Sequence, residues 1–113
     1  MALDHFPNFM KRNENIIPKN SQNTQDIVGY YYTANDGSQM AFWECCSDKE
    51  SKKHKHSFDE YMVVLSGEYI MFIEGEKHTL HSGDELYIPK EKEQWGFCKA
   101  GTRTIHAFGG KRI

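Results

Sequence analysis

Short stretches rich in aromatic and β-branched residues recur along this chain at intervals of about ten residues. Polar or glycine-containing segments separate them, and no stretch holds a helical period for long. This pattern predicts a single all-β domain built as a sandwich or barrel. The predicted strands are 27–33, 39–46, 58–65, 68–73, 77–80, 85–88, 95–99 and 102–108.

Turn signals lie between the predicted strands. Asn35, Asp36, Gly37 and Ser38 form a turn that joins strands 27–33 and 39–46 into a hairpin. Further turns are predicted at 74–76, 81–84 and 100–101, and Pro89 ends strand 85–88.

The first 26 residues are polar and rich in asparagine. They predict a short irregular N-terminal arm, residues 1–26, followed by a β domain at residues 27–113. Leu3, Phe6, Phe9 and Met10 have roughly helical spacing and allow one short helical turn. We expect the arm to pack its few apolar residues on the domain or on a partner subunit.

Composition narrows the classes of function. The chain has 113 residues, a mass of 13.2 kDa and a net charge of −2, so no bulk field favours nucleic acid or an anionic membrane. No apolar run is long enough to span a membrane, and residues 1–15 lack the apolar centre of a signal peptide. Cys45, Cys46 and Cys98 make an odd count, which predicts reduced thiols and a cytoplasmic location.

The adjacent cysteines have a further consequence. Because neighbouring side chains on a strand point to opposite faces, one of Cys45 and Cys46 should be buried and the other exposed.

The segment 54–67 carries the clearest chemical pattern. Along a strand His54 and His56 project to one side, and Glu60 shares a face with Met62 and Val64 of the following strand. Imidazole nitrogens and a carboxylate are common metal ligands, so the three polar residues could form a metal site with open positions. The alternative is the solvated face of a half-buried sheet, next to a charged loop at 47–55 that is rich in lysine.

Two spaced motifs give the chain a resemblance to the cupin superfamily, covering about residues 40–113. The matching residues are His54, His56, Glu60 and Gly67 for the first motif and Gly83 and Pro89 for the second. The resemblance implies a jelly-roll β-barrel or sandwich, like that of compact single-domain cupins, with both histidines as metal ligands.

The chain also departs from the cupin motifs. Asp48 and Glu91 stand where glycines are usual, and Cys98 replaces the closing asparagine. The fourth ligand is usually a histidine, but this position holds Gln94. Its carbonyl oxygen, the imidazole of His106, or solvent remains open as the fourth ligand.

Alternation does not determine which face of the last strand is interior. Thr104, His106 and Phe108 share one face, while Ile105 and Ala107 share the other. His106 can approach the metal only if the first face is the interior one.

The expected cofactor is one divalent transition metal ion, with Mn, Fe, Ni, Zn and Co all compatible. Two histidines and a carboxylate resemble the site of non-haem iron enzymes. The predicted function is a metal-dependent dioxygenase, isomerase or lyase that acts on a small oxygen-rich metabolite, with Tyr61 or Tyr69 at the mouth of its pocket. The alternatives are a non-catalytic metabolite- or metal-binding sensor and a storage protein. A homodimer that extends a sheet through strand 27–33 is also expected.

Overall fold

The computed structural model describes residues 3–113, and this part of the chain forms nine strands in two antiparallel sheets. The strands are β1 (Val28–Thr33), β2 (Gln39–Glu44), β3 (Lys49–Glu50), β4 (Glu60–Ser66), β5 (Glu68–Ile73), β6 (Glu76–His81), β7 (Glu85–Ile88), β8 (Gln94–Cys98) and β9 (Arg103–Phe108).

The two sheets have the crossed connectivity of a jelly roll. One sheet has the order β1-β2-β9-β4-β7 and the other the order β3-β8-β5-β6. Strands far apart in sequence are therefore neighbours, as where β2 and β4 both pair with β9. The all-β jelly-roll prediction is confirmed, and the β1–β2 hairpin has the predicted turn between its strands.

The structure differs from the predicted strands at the segment between β2 and β4. Residues 47–55 were expected to be a loop, but they contain β3, which pairs with β8. His54 and His56 were expected to project to one side, as they would along a strand. His54 instead makes a single bridge to Gln94, and His56 lies outside any strand. The backbone of this segment is held by hydrogen bonds to the neighbouring strand β8, which lies 40 or more residues away in the sequence. Local sequence does not reveal that pairing.

The main core lies between the two sheets. Its buried members are Met62, Val64, Met71, Leu80 and Ile88, contributed by β4, β5, β6 and β7. Alternation along β4 directs Met62 and Val64 inward while Tyr61 is exposed on the other face.

The N-terminal arm packs on the domain of its own chain. It contains three short 3-10 turns, at Asn8–Met10, Asn13–Asn15 and Lys19–Ser21. Phe6 and Ile17 are buried, and the Phe6 ring lies 4.8 Å from that of Phe42. The first two residues of the predicted arm lie outside the described part.

The cysteines behave differently from the sequence prediction. Cys45 is buried and Cys46 exposed, as predicted, but Cys45 and Cys98 form a disulfide. The expectation of three reduced thiols is therefore wrong. The bond joins the end of β2 in one sheet to β8 in the other, a proximity that only the tertiary fold creates. Disulfides persist mainly in oxidising compartments, so the bond gives the cytoplasmic prediction no support.

Within residues 3–113, none of the helical segments has the length and apolar character needed to cross a membrane.

Candidate metal and ligand-binding site

A small cavity of about 60 Å³ lies inside the jelly roll and receives side chains from both sheets. All five predicted metal-site residues line it, namely His54, His56, Glu60, Gln94 and His106. They come from the segment after β3, from β4, from β8 and from β9. The fold thus brings together residues that are as much as 52 positions apart, from 54 to 106.

His54 is oriented by the backbone on both sides. Its N–H donates to the Gln94 carbonyl at 2.9 Å, and the Gln94 N–H returns a bond of 2.8 Å. Its ring Nδ1 lies 2.8 Å from the carbonyl oxygen of Lys52. Because a carbonyl can only accept, Nδ1 carries the proton, and a neutral His54 has its free lone pair on Nε2.

His56 is fixed by ring packing. Its ring stacks on Phe58 at 4.8 Å and lies 4.9 Å from the ring of His54. Burial lowers the pKa of His56 to about 4 and also lowers the pKa of His54. Both imidazoles are therefore neutral near pH 7, which is the form that binds metal ions.

Glu60 is the charged centre of the cavity and is 4% exposed. Its Oε2 accepts a hydrogen bond of 2.7 Å from Nδ1 of His106, and its Oε1 accepts one of 3.2 Å from Nε2 of Gln94. Burial alone would raise the pKa of Glu60, but the bond and charge of His106 prevail and lower it. The carboxylate is therefore ionised.

His106 lies beside Glu60 because β9 pairs with β4. The structure decides the open question about β9: Thr104, His106 and Phe108 face inward and are buried. Both ring nitrogens of His106 already have neighbours, with Nδ1 on Glu60 and Nε2 3.0 Å from Oγ1 of Thr104. This arrangement suits a residue that orients Glu60.

The donor types in the cavity fit a divalent metal ion. Two neutral imidazoles and one ionised carboxylate are suitable ligands, and Gln94 has a further amide oxygen. As they stand, the His, Cys, Asp and Glu side chains of residues 3–113 include no group of three placed to hold an ion. Glu60 instead bonds to His106 and Gln94.

The two predicted pocket tyrosines have different positions. Tyr69 lines the cavity, and burial raises its pKa above the usual range. Tyr61 is 37% exposed, and its hydroxyl donates to Glu85 on the outer face at 2.7 Å. Of the two tyrosines offered as alternatives, Tyr69 therefore lines the cavity and Tyr61 lies outside it. Since β4 alternates, an inward Glu60 already requires an outward Tyr61.

Sequence reasoning missed several cavity residues that bear polar groups, among them Gln22, Trp43 and Arg112. The guanidinium of Arg112 lies over the rings of Trp43 and Phe108, at 5.4 Å from each centroid. Arg112 follows the last strand and Gln22 belongs to the arm, so no strand periodicity marks either residue.

The chain is similar to known proteins of one family. Residues 46–95 match the sequence profile described as Cupin domain. A cupin superfamily protein from Desulfitobacterium hafniense has 15% identity and a TM-score of 0.68, over 74% of this chain and 77% of that chain. No curated protein matches the chain significantly.

Two further solved structures cover more of the chain. An RmlC-like cupin from Shewanella frigidimarina has 18% identity and a TM-score of 0.67, over 88% of this chain and 93% of that one. KdgF from Halomonas sp. has 18% identity and a TM-score of 0.61, over 86% and 93%. Identities this low show a shared fold and leave the reaction to be argued from the site.

Proposed function

This chain carries a cupin domain, and we propose that its cavity binds one divalent transition metal ion together with a small oxygen-rich metabolite. The observation that carries the proposal is the convergence of His54, His56 and Glu60 on one buried cavity. Burial keeps the two imidazoles neutral, and the hydrogen bond from His106 keeps the Glu60 carboxylate ionised against the effect of burial, which together suit metal binding.

The proposed ligands are Nε2 of His54, an imidazole nitrogen of His56 and the carboxylate of Glu60. The Oε1 of Gln94 or solvent completes the set. His106 acts as a positioning residue, because its Nδ1 is bonded to Oε2 of Glu60. Such hydrogen-bonded partners orient metal ligands and tune their basicity.

An ion bound there would act as a Lewis acid on a chelating hydroxyl or carbonyl oxygen. The protein's own contribution is a wall of polar side chains with apolar surface between them, supplied by Met71 and Phe108 among others. A dioxygenase, an isomerase and a lyase all remain compatible with this site.

A non-catalytic sensor or binding module is the second candidate, and one contact favours it. Glu60 and His106 are bonded to each other at 2.7 Å, so neither is set aside as an acid or base for a substrate. Turnover separates the two candidates. The protein is loaded with Fe(II) without oxygen and then tested with a panel of diols, diketones and phenols, before and after air is admitted. An enzyme should form product from some member of the panel. A non-catalytic binder should show only an increase in its own stability when a ligand is added.

Metal analysis tests the proposed site directly. Protein purified without an affinity tag is expected to carry about one divalent ion per chain by inductively coupled plasma mass spectrometry. Combined His54→Ala and His56→Ala substitutions should abolish occupancy while the circular dichroism of the sheets is retained. Combined His78→Ala and His81→Ala substitutions are the matched control, since both residues lie on β6 outside the cavity. Full occupancy in the first variant would refute the assignment.

A homodimer through β1 is part of the same proposal. β1 is an edge strand of the five-stranded sheet, and Val28 on it is 57% exposed. The N-terminal arm pairs with the middle of this edge, through the Ile16–Tyr30 bridge and the bond from the Ile17 N–H to the Gly29 carbonyl, so a second copy would pair at the ends of β1 or displace the arm. Light scattering should give twice the monomer mass, and Val28→Lys should lower the mass. Met40→Lys on β2 is the control, with a similar exposure of 54%. A monomer at all concentrations would contradict the dimer.

A further inference from the structure

Two buried donors in the described residues have no hydrogen-bond partner there, namely Nε2 of Gln22 and Nη1 of Arg112. Both residues line the same cavity as the proposed metal ligands. Buried polar groups are almost always paired, so two unsatisfied donors in one cavity indicate an acceptor that enters from outside the chain.

The orientation of the Gln22 amide is determined by Trp43. The indole Nε1–H lies 3.2 Å from Oε1 of Gln22 and can only donate. The oxygen of the amide must therefore face Trp43, which leaves the NH₂ group of Gln22 as the unpaired end. A flipped amide would place two donors against each other.

Arg112 is fixed at the same indole. Its guanidinium lies 5.4 Å from the ring centroid of Trp43, and its backbone N–H donates to Oε1 of buried Gln39 at 2.7 Å. No carboxylate in residues 3–113 lies within ion-pairing distance of Arg112. Burial lowers its pKa while the charge of Glu60 opposes this, and arginine stays protonated in proteins.

Arg103 shows what a satisfied arginine looks like in this protein. It also lies over an aromatic ring, at 5.2 Å from the Phe6 centroid. Its donors reach Oγ of Ser66 at 3.1 Å and the carbonyl of Leu3 at 2.9 Å. Arg103 does not line the cavity, and among the arginines of residues 3–113 only Arg112 has a buried side-chain donor without a partner.

We propose that Arg112 and Gln22 form a carboxylate-binding subsite, so that the metabolite is a small monocarboxylate with a hydroxyl or carbonyl oxygen. This proposal deepens the proposed function and rests on it, because it assigns the other end of the ligand to His54, His56 and Glu60. A guanidinium and an amide NH₂ supply donors suited to a carboxylate.

Charge and size narrow the ligand further. The cavity is lined by two cations, Arg112 and half-buried Lys49, and by the anionic Glu60, so its side chains sum to about +1 and suit a monoanion better than a phosphate dianion. Its volume of about 60 Å³ corresponds to roughly four or five water molecules. A hydroxy or keto acid of about three carbons is the expected size.

The test is isothermal titration of Mn²⁺-loaded protein with lactate and pyruvate, compared with neutral lactamide and propane-1,2-diol and with inorganic phosphate. We expect lactate or pyruvate to bind at least about tenfold more tightly than the neutral analogues and phosphate. Arg112→Gln should remove this preference. Arg103→Gln is the matched control and should retain it.

A second variant keeps the test decisive if Arg112→Gln folds poorly. Gln22→Glu retains an acceptor for Trp43 but replaces the unpaired NH₂ by a carboxylate oxygen. It should weaken lactate or pyruvate binding at least about tenfold, because the new carboxylate repels the anion and pairs with Arg112. Circular dichroism checks that each variant is folded.

The outcomes separate this subsite from the metal proposal. If the protein binds metal but has equal affinity for lactate and lactamide, the carboxylate subsite is refuted and the metal site is not. The same holds if no carboxylate binds at millimolar concentration. Preference for phosphate also overturns it. Arg112-dependent carboxylate binding by protein that cannot be loaded with Mn²⁺ supports the subsite and contradicts the metal site.

Discussion

Glu60 and His106 face each other from neighbouring strands, with Nδ1 of His106 2.7 Å from Oε2 of Glu60. The contact exists because β4 and β9 pair and both residues point into the cavity. A buried carboxylate needs such a partner, since an unpaired charge in the interior is costly. The pair therefore holds one proposed metal ligand in an ionised and oriented state.

The first prediction concerns His106. His106→Ala leaves the carboxylate of Glu60 buried without its short hydrogen bond, and should lower the free energy of unfolding of metal-free protein by about 3–5 kcal/mol. Adding Glu60→Gln to this variant should recover part of the loss, because it removes the unpaired charge. Chemical denaturation measures both changes. An unchanged unfolding midpoint in His106→Ala would contradict the role given to the pair.

The same variant distinguishes a positioning residue from a ligand. If His106 is a positioning residue, His106→Ala should lower the affinity for Zn²⁺ by about 10–100-fold. His54→Ala should cost more, because it removes a ligand. Competition with a chromophoric chelator measures both affinities. Equal losses would indicate that His106 itself binds the metal.

The second prediction concerns Gln94, which supplies an amide where the resemblance to cupins implies a histidine. Gln94→His should raise affinity for Zn²⁺ and Ni²⁺ relative to Mn²⁺, because imidazole is a softer ligand than an amide oxygen. Gln94→Ala should cost little metal affinity, since water can take the position. Affinities measured by competition for the three ions test this. A large loss in Gln94→Ala, or no gain in Gln94→His, would contradict the prediction.

The third prediction concerns pH. Burial lowers the pKa of His56 to about 4, whereas the unfolded chain has the ordinary value of about 6.5. Between these values the unfolded state binds more protons, so the stability of metal-free protein should fall as pH drops from about 6.5 towards 4. Above about 6.5 this contribution is fully present.

Denaturation midpoints across this pH range give the measurement. His56→Gln should flatten the curve because it removes the titrating group. His81→Gln should not, because His81 is exposed on β6. A curve of unchanged slope in His56→Gln would show that another group is responsible.

The fourth prediction concerns the disulfide. Cys45 and Cys98 are 53 residues apart, so the bond closes a long loop in the unfolded chain. Reduction, or Cys45→Ser with Cys98→Ser, should lower the free energy of unfolding by about 2–5 kcal/mol. Cys46→Ser is the control, because Cys46 is exposed and free. Equal stability of oxidised and reduced protein would contradict the structural role of the bond.

Local patterns in the sequence predicted most of the fold. Aromatic and β-branched runs with glycine-containing turns between them correspond to eight of the nine strands in residues 3–113. The exception, β3, has two residues, Lys49 and Glu50, and forms by pairing with β8. A strand that depends on a distant partner carries little signal of its own.

The site was predictable in its residue types and less so in its geometry. The spacing of His54, His56 and Glu60 indicated a metal site by resemblance, and the fold brings all three to one cavity. Alternation could not show which face of β9 is interior, because both faces carry apolar residues. Phe108 lies on one face with Thr104 and His106, and Ile105 and Ala107 lie on the other. The pairing of β9 with β4 decided it and placed His106 on Glu60.

Local sequence was sufficient for the strand rhythm, the turns, and the candidate metal-ligand types between residues 54 and 60. Those features depend on neighbours a few positions apart, which any short window contains. The tertiary structure alone decided the Cys45–Cys98 bond, the inward face of β9, and the meeting of Gln22 and Arg112 at Trp43. Each of these joins residues more than 20 positions apart, or depends on which strand lies beside which, and no local periodicity encodes that choice.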